Sequence, residues 1–93
     1  MYAFIQNIKI SQFAYVVKNR NIELNKAFGD HLRKLRLAQN LSQEELVNLI
    51  DIPISQIGRI ERGEGNPTIS TLYLLSKALK IDLKDLLSFD FTK

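Results

Sequence analysis

Two hydrophobic rhythms divide the chain. From Met1 to Val17 apolar residues crowd together: Ile8 and Ile10 alternate around Lys9, and Phe13-Ala14-Tyr15-Val16-Val17 follows Ser11-Gln12. Alternation and enrichment in Ile, Val, Phe and Tyr predict a strand or extended arm, a hairpin being one form of it; a helix is the competing reading. Lys18-Asn19-Arg20-Asn21 is polar and reads as a linker. From about Asn25 the period becomes helical, with Phe28, Leu32 and Leu35 spaced i, i+4, i+7 on one face. Arg33, Lys34 and Arg36 fall largely on other faces. This first helix is expected to end near Gln39-Asn40, where asparagine suits a left-handed cap.

A second helix starts at Ser42. Serine is a good N-cap, and Glu45 three residues later completes the spacing of a capping box. Glu44 and Glu45 also favour the positive end of the helix. Leu46, Leu49 and Ile50 are its expected buried residues, and Asp51 its end. Pro53 fits the first turn of a third helix, where its missing N–H is not needed. Gly63 closes that helix, and Gly63-Glu64-Gly65-Asn66-Pro67 is a loop of turn residues. Ser70 or Thr71 starts a fourth helix with Leu72, Leu75 and Leu79 on one face. Asp82 suits the N-cap of a short fifth helix carrying Leu83, Leu86 and Leu87.

The expected organisation is an all-α unit of five short helices over residues 25–89, an apolar arm over 1–24, and a tail over 90–93. Only about three residues separate the second and third helices, a connection that forces a large crossing angle and a helix-turn-helix arrangement. On a helical wheel at 100° per residue, Ile57, Ile60 and Glu61 share one side of the third helix with Pro53. Ser55, Gly58, Arg59 and Arg62 share the other, and Ile54 lies at the boundary. The first set is the inward face. The second is small or basic, as a face entering the major groove of DNA would be.

Composition narrows the function. The 93 residues are 45% hydrophobic and 25% charged, which fits one globular domain with a modest core. The absence of cysteine excludes disulfides, thiolate metal sites and cysteine nucleophiles. His31 is the only histidine, and a lone histidine beside Asp30 does not make a metal site, so no metal or cofactor is expected. No nucleophile–base–orienter set is readable, which argues against an enzyme. No run of about 20 apolar residues occurs, and the N-terminus lacks the basic start of a signal peptide, so a cytoplasmic location is expected. The net charge is +3, yet residues 26–66 hold six Lys or Arg against six Asp or Glu. An interface for nucleic acid must therefore come from sorting of charge between faces rather than from an overall basic field.

The stretch from Leu41-Ser42-Gln43-Glu44-Glu45-Leu46 through Ile57–Gly63 to Asn66-Pro67 resembles the Cro/repressor-type, xenobiotic-response-element-like helix-turn-helix family of DNA-binding regulators. The resemblance spans roughly Phe28 to Leu87. It implies a compact, lambda-repressor-like five-helix fold and a sequence-specific transcriptional regulator that binds double-stranded DNA. A homodimer would match a near-palindromic operator with half-sites about 34–36 Å apart. Arg59 is the foremost candidate for base readout, since a guanidinium bonds guanine O6 and N7 together. Ser55 and Ile54 join it from the wheel, and Gln56 from the early third-helix positions that read DNA in similar proteins. Gln43 sits beside the free N–H groups opening the second helix, where related proteins place a glutamine against phosphate. Arg62, Asn66 and Thr68 are further candidates for the DNA backbone. Gly58 would allow close approach to the groove. The resemblance also implies a structural ion pair between Arg36 and Glu61.

Three positions depart from the family pattern. Asp51 stands where a turn glycine is usual, and aspartate tolerates a left-handed backbone. Val47 replaces a small alanine. Pro53 replaces a serine or threonine cap, so the third helix is expected to lack a side-chain N-cap. Alternative roles within the fold are a controller of a restriction–modification system, and an antitoxin that binds a toxin through the apolar arm. A protein-interaction module that has lost DNA binding is the alternative from another class.

Overall fold

A computed structural model describes the backbone of residues 10–91 and the side chains of residues 22–91. Among the described residues the elements are five helices and no strand: α1 (Ile10–Ala38), α2 (Gln43–Val47), α3 (Ile54–Glu61), α4 (Ile69–Leu79) and α5 (Leu83–Leu86). Helix α1 runs for 29 residues, about 43 Å at 1.5 Å per residue. It corrects the reading of the N-terminal segment. Residues 10–17 are helical rather than extended, and the supposed linker at Lys18–Asn21 continues the same helix. β-Branched and aromatic residues favour strands only when a sheet offers them neighbours, and the described residues contain none. Residues 1–9 of the expected arm lie outside the described residues.

The helix ends follow local chemistry. Asn40 has φ +59° and ends α1 in the left-handed region. At α2 the capping box is complete: the Glu45 N–H donates to Ser42 Oγ at 2.9 Å, and the Ser42 N–H donates to Glu45 Oε1 at 2.8 Å. Helix α2 stops at Val47, short of Asp51, so residues 48–53 form the turn and Leu49 is 57% exposed instead of buried. Asp51 does not adopt a positive φ, so the missing glycine entails no strain there. Pro53 is the N-cap of α3 and makes no side-chain cap.

Helix α4 begins one turn residue earlier than its serine and threonine suggested. Thr68 caps it, accepting from the Thr71 N–H at 3.1 Å. Asp82 stands at the N-cap of α5 without a side-chain cap bond, and Leu87 falls beyond that helix, largely exposed.

The core is built from the apolar faces that the periodicity marks. Phe28, Leu32, Leu46, Ile57, Ile60, Leu75, Leu79 and Leu86 are buried together, with Leu35, Val47, Ile50 and Leu72 packed at its edge. Helix α1 packs chiefly on α3, α2 on α3, and α4 on α5. After α5 the chain folds back: the Phe89 ring lies 5.9 Å from Phe28 and 5.5 Å from the His31 ring. His31 also meets the Asp85 carbonyl at 3.3 Å, so the single histidine joins α1 to α5.

Two glycines bring α1 against the end of α3. A Cβ on Gly29 would overlap the Ile60 carbonyl oxygen and stand 2.7 Å from that of Glu61. Gly63, at φ +78°, lies directly on the α1 backbone, where a Cβ would come within 2.8 Å of Lys26 Cα. The backbones touch because neither residue has a side chain.

Candidate nucleic-acid interface

Helix α3 is eight residues long and divides sharply between its faces. Ile57 and Ile60 are buried, whereas Ile54, Ser55 and Arg59 are exposed and Gln56 is half-buried. The inward face holds the helix, and the outward face is open to solvent.

Beneath it sits a buried polar cluster. Arg36 Nε donates to Glu61 Oε2 at 2.6 Å and Arg36 Nη2 to Glu61 Oε1 at 2.8 Å. The third guanidinium nitrogen, Nη1, donates to the Leu41 carbonyl at 2.7 Å. The two side chains are only 9% and 3% exposed. The bond to Glu61 raises the Arg36 pKa above its ordinary value against the opposing effect of burial. With three of its five N–H donors engaged and its side chain buried, Arg36 ties α1 to the end of α3 and to the entry of α2 as part of the scaffold.

Gln43 belongs to the same cluster, its Nε2 donating to Glu61 Oε1 at 3.0 Å. That bond uses one of the amide's two donors and fixes the side chain at the start of α2.

Gly58 is not on the open face. It is buried, and a Cβ there would stand 3.0 Å from Arg62 Nη1 and 3.7 Å from Gln43 Oε1. Arg62 and Gln43 reach over it from either side. A wheel for one helix has no neighbours in it, which is why the position looked outward. The contact at 3.0 Å is with the far end of a flexible side chain, so an added methyl would displace Arg62 rather than the backbone.

Arg62 pairs with Glu64, Nε to Oε2 at 3.1 Å and Nη2 to Oε1 at 3.2 Å, on the exposed surface. Asn66 Oδ1 accepts from Asn25 Nδ2 of α1 at 2.9 Å, which anchors the loop. Thr68 Oγ1 is engaged at the α4 cap and lies 3.1 Å from Thr71 Oγ1. Between α3 and this loop runs an open cleft of about 340 Å³, lined by Ser55, Gln56, Arg59, Glu64 and Asn66 among others. The structure thus gathers Ser55, Gln56, Arg59 and Asn66 around one cleft. Gln43 and Arg62 lie together over Gly58, and Thr68 stands beyond the loop at the head of α4.

Sequence reasoning missed Gly29, Gly63 and Glu64. Gly63 carried a signal as a helix terminator, but its approach to Lys26 did not. Among the described residues no group of three or more metal-ligating side chains occurs, and no helix is long and apolar enough to cross a membrane.

The profile of the HTH_3 helix-turn-helix family matches residues 32–86, most of the chain. The chain belongs to this helix-turn-helix family. Its relatives include the control protein C.SmaI of Serratia marcescens, 36% identical over 72% of this chain and 80% of that protein. The control protein C.BamHI of Bacillus amyloliquefaciens is 41% identical over 67% of this chain and 78% of its own length. The crystal structure of the restriction-modification controller protein C.AhdI from Aeromonas hydrophila superposes with a TM-score of 0.65 at 39% identity, covering 67% of this chain and 94% of that one. The HTH_3 architecture is all-helical, as here, and the helix-turn-helix pair is α2–α3. The family is one of DNA-binding transcription regulators, and this chain is a helix-turn-helix regulator of that kind.

Proposed function

We propose that this protein is a controller-type transcription regulator that binds a near-palindromic operator as a homodimer, each subunit placing α3 in the major groove. The observation that carries the reading is the division of α3: a buried face fixed by Ile57, Ile60 and Glu61, and an exposed one bearing Ile54, Ser55 and Arg59 beside Gln56. A helix held on one side and polar on the other is what the groove admits.

Arg59 reads a guanine edge, Ser55 and Gln56 bond neighbouring bases, and Ile54, 47% exposed, packs on a thymine methyl. Gln43, Arg62, Asn66 and Thr68 hold the phosphates on either side and set the register. The similarity to three control proteins over most of their lengths favours the restriction–modification role over the antitoxin role. Residues 25–89 form the DNA-binding unit. Residues 1–24 are an interaction arm, a reading supported by the exposure of Ile22 and Leu24 on α1. The protein acts in the cytoplasm, by binding rather than by catalysis.

Selection of bound duplexes from a random pool, followed by sedimentation of the complex, tests the proposal. The expected result is an inverted repeat with half-sites about one helical turn or a multiple apart, bound by two chains. An asymmetric site bound by one chain would refute the dimer, and failure to enrich any sequence would refute specific readout.

A further inference from the structure

Glu64 lies in the loop beyond α3, among the residues proposed to meet DNA. Its carboxylate takes both oxygens to one guanidinium, accepting from Arg62 Nε at 3.1 Å and Nη2 at 3.2 Å. That parallel fork is the geometry in which arginine binds phosphate. A second cation stands close by. Arg59 Nη2 is 3.9 Å from the position of a Cβ on Gly65, the next residue, and Arg59 and Glu64 line one cleft. The Arg62 hydrogen bond first, and then the charges of Arg62 and Arg59, hold the Glu64 carboxyl below its ordinary pKa. Arg62 and Glu64 are more than half exposed, at 59% and 55%. A pair so exposed adds little to stability, so its placement has to be explained by something other than the scaffold. The buried cluster already does that work with Arg36 and Glu61.

We propose that Glu64 is an internal counter-ion for the DNA-facing arginines, its carboxylate standing in the free protein where a DNA phosphate oxygen stands in the complex. Binding exchanges the carboxylate on Arg62 for a phosphate. Breaking the pair offsets part of what the Arg62–phosphate contact adds to the binding free energy. Affinity for DNA of any sequence is thereby held down, while base contacts from Ser55 and Gln56, which Glu64 does not touch, keep their full effect. Glu64 is in this sense a determinant of specificity that contacts no base. The inference rests on the DNA-binding reading of α3.

The test uses the full chain and a mixed-sequence duplex of about 30 base pairs, long enough for two half-sites. Fluorescence anisotropy is recorded between about 20 and 200 mM KCl for the wild type, Glu64→Gln, Arg62→Gln and the double variant. Thermal melts confirm that all four fold. Glu64→Gln is expected to bind about three- to tenfold more tightly at low salt, with a salt slope steeper by about one, because Arg62 then meets its phosphate without first giving up a carboxylate. In the Arg62→Gln background the same substitution is expected to change affinity less than about twofold, because the coupled partner is gone. Wild-type binding with no gain from Glu64→Gln would overturn the counter-ion and leave the DNA-binding reading standing. An equal gain in both backgrounds would also overturn it, since Glu64 would then act through overall charge. No binding by any of the four proteins would overturn the inference and the DNA-binding reading together.

Discussion

Replacing Glu61 with alanine removes both carboxylate bonds to Arg36 and the one from Gln43. Arg36 is then left on the Leu41 carbonyl alone, with its side chain 9% exposed. A buried charge stripped of its partner costs about 3–5 kcal/mol. For a domain of this size each kcal/mol moves the melting temperature by about 4–8 °C, so Glu61→Ala is expected to melt about 15–30 °C lower. The loss should not depend on pH between about 6 and 9. Arg36 is a base whose folded pKa is raised above its ordinary value by the bond to Glu61. Its contribution is therefore complete below its unfolded pKa and fades only as pH rises through the folded pKa. Circular dichroism melts at about pH 6 and pH 9 should show the same deficit. The companion variant Arg36→Met/Glu61→Leu removes both charges and fills the space, and should recover most of the loss. A Glu61→Ala protein melting within about 3 °C of wild type would refute the reasoning. A double variant no better than the single would show that shape, not the orphaned charge, carries the effect.

Gly29→Ala should destabilise by about 2–3 kcal/mol even though alanine is the better helix former, because the new methyl meets the Ile60 and Glu61 carbonyls; a gain in urea midpoint would refute the backbone contact. Ser42→Ala opens the capping box at α2 and should cost about 1 kcal/mol, read from the same denaturation curve. Arg59→Ala should leave the melt unchanged and weaken binding to the selected operator by about 1–3 kcal/mol. Equal weakening on unrelated duplexes would instead make Arg59 a phosphate contact.

The parts of the fold that were legible in sequence are those encoded within a few residues. Ser42 and Glu45 specify their cap at a separation of three, and Asn40 ends α1 by its own backbone preference. The leucine and isoleucine spacings marked most of the core, but Leu49 misled, because the apolar period ran past the point where α2 stops. The N-terminal segment carried strand composition and forms helix, since composition states a preference and not the neighbours that satisfy it. Thr68 was passed over as a cap because Ser70 and Thr71 lay within reach of the same role. Gly58 and Gly29 show the deeper limit. Gly58 read as an outward position and Gly29 drew no reading, and their reasons lie across the fold, in Arg62 and Gln43 for one and in the end of α3 for the other.

The split of α3 also bears on how such a protein changes over generations. Its attachment rests on Ile57, Ile60, Glu61 and two backbone contacts at glycine, none of which involves Ile54, Ser55 or Arg59. Exposed substitutions away from such anchors usually alter stability by less than about 0.5 kcal/mol. The outward positions are therefore free to drift while the anchors stand still, and, with α3 reading the operator as proposed, a new operator can be acquired by changing three or four side chains in a lineage that never passes through an unfolded ancestor.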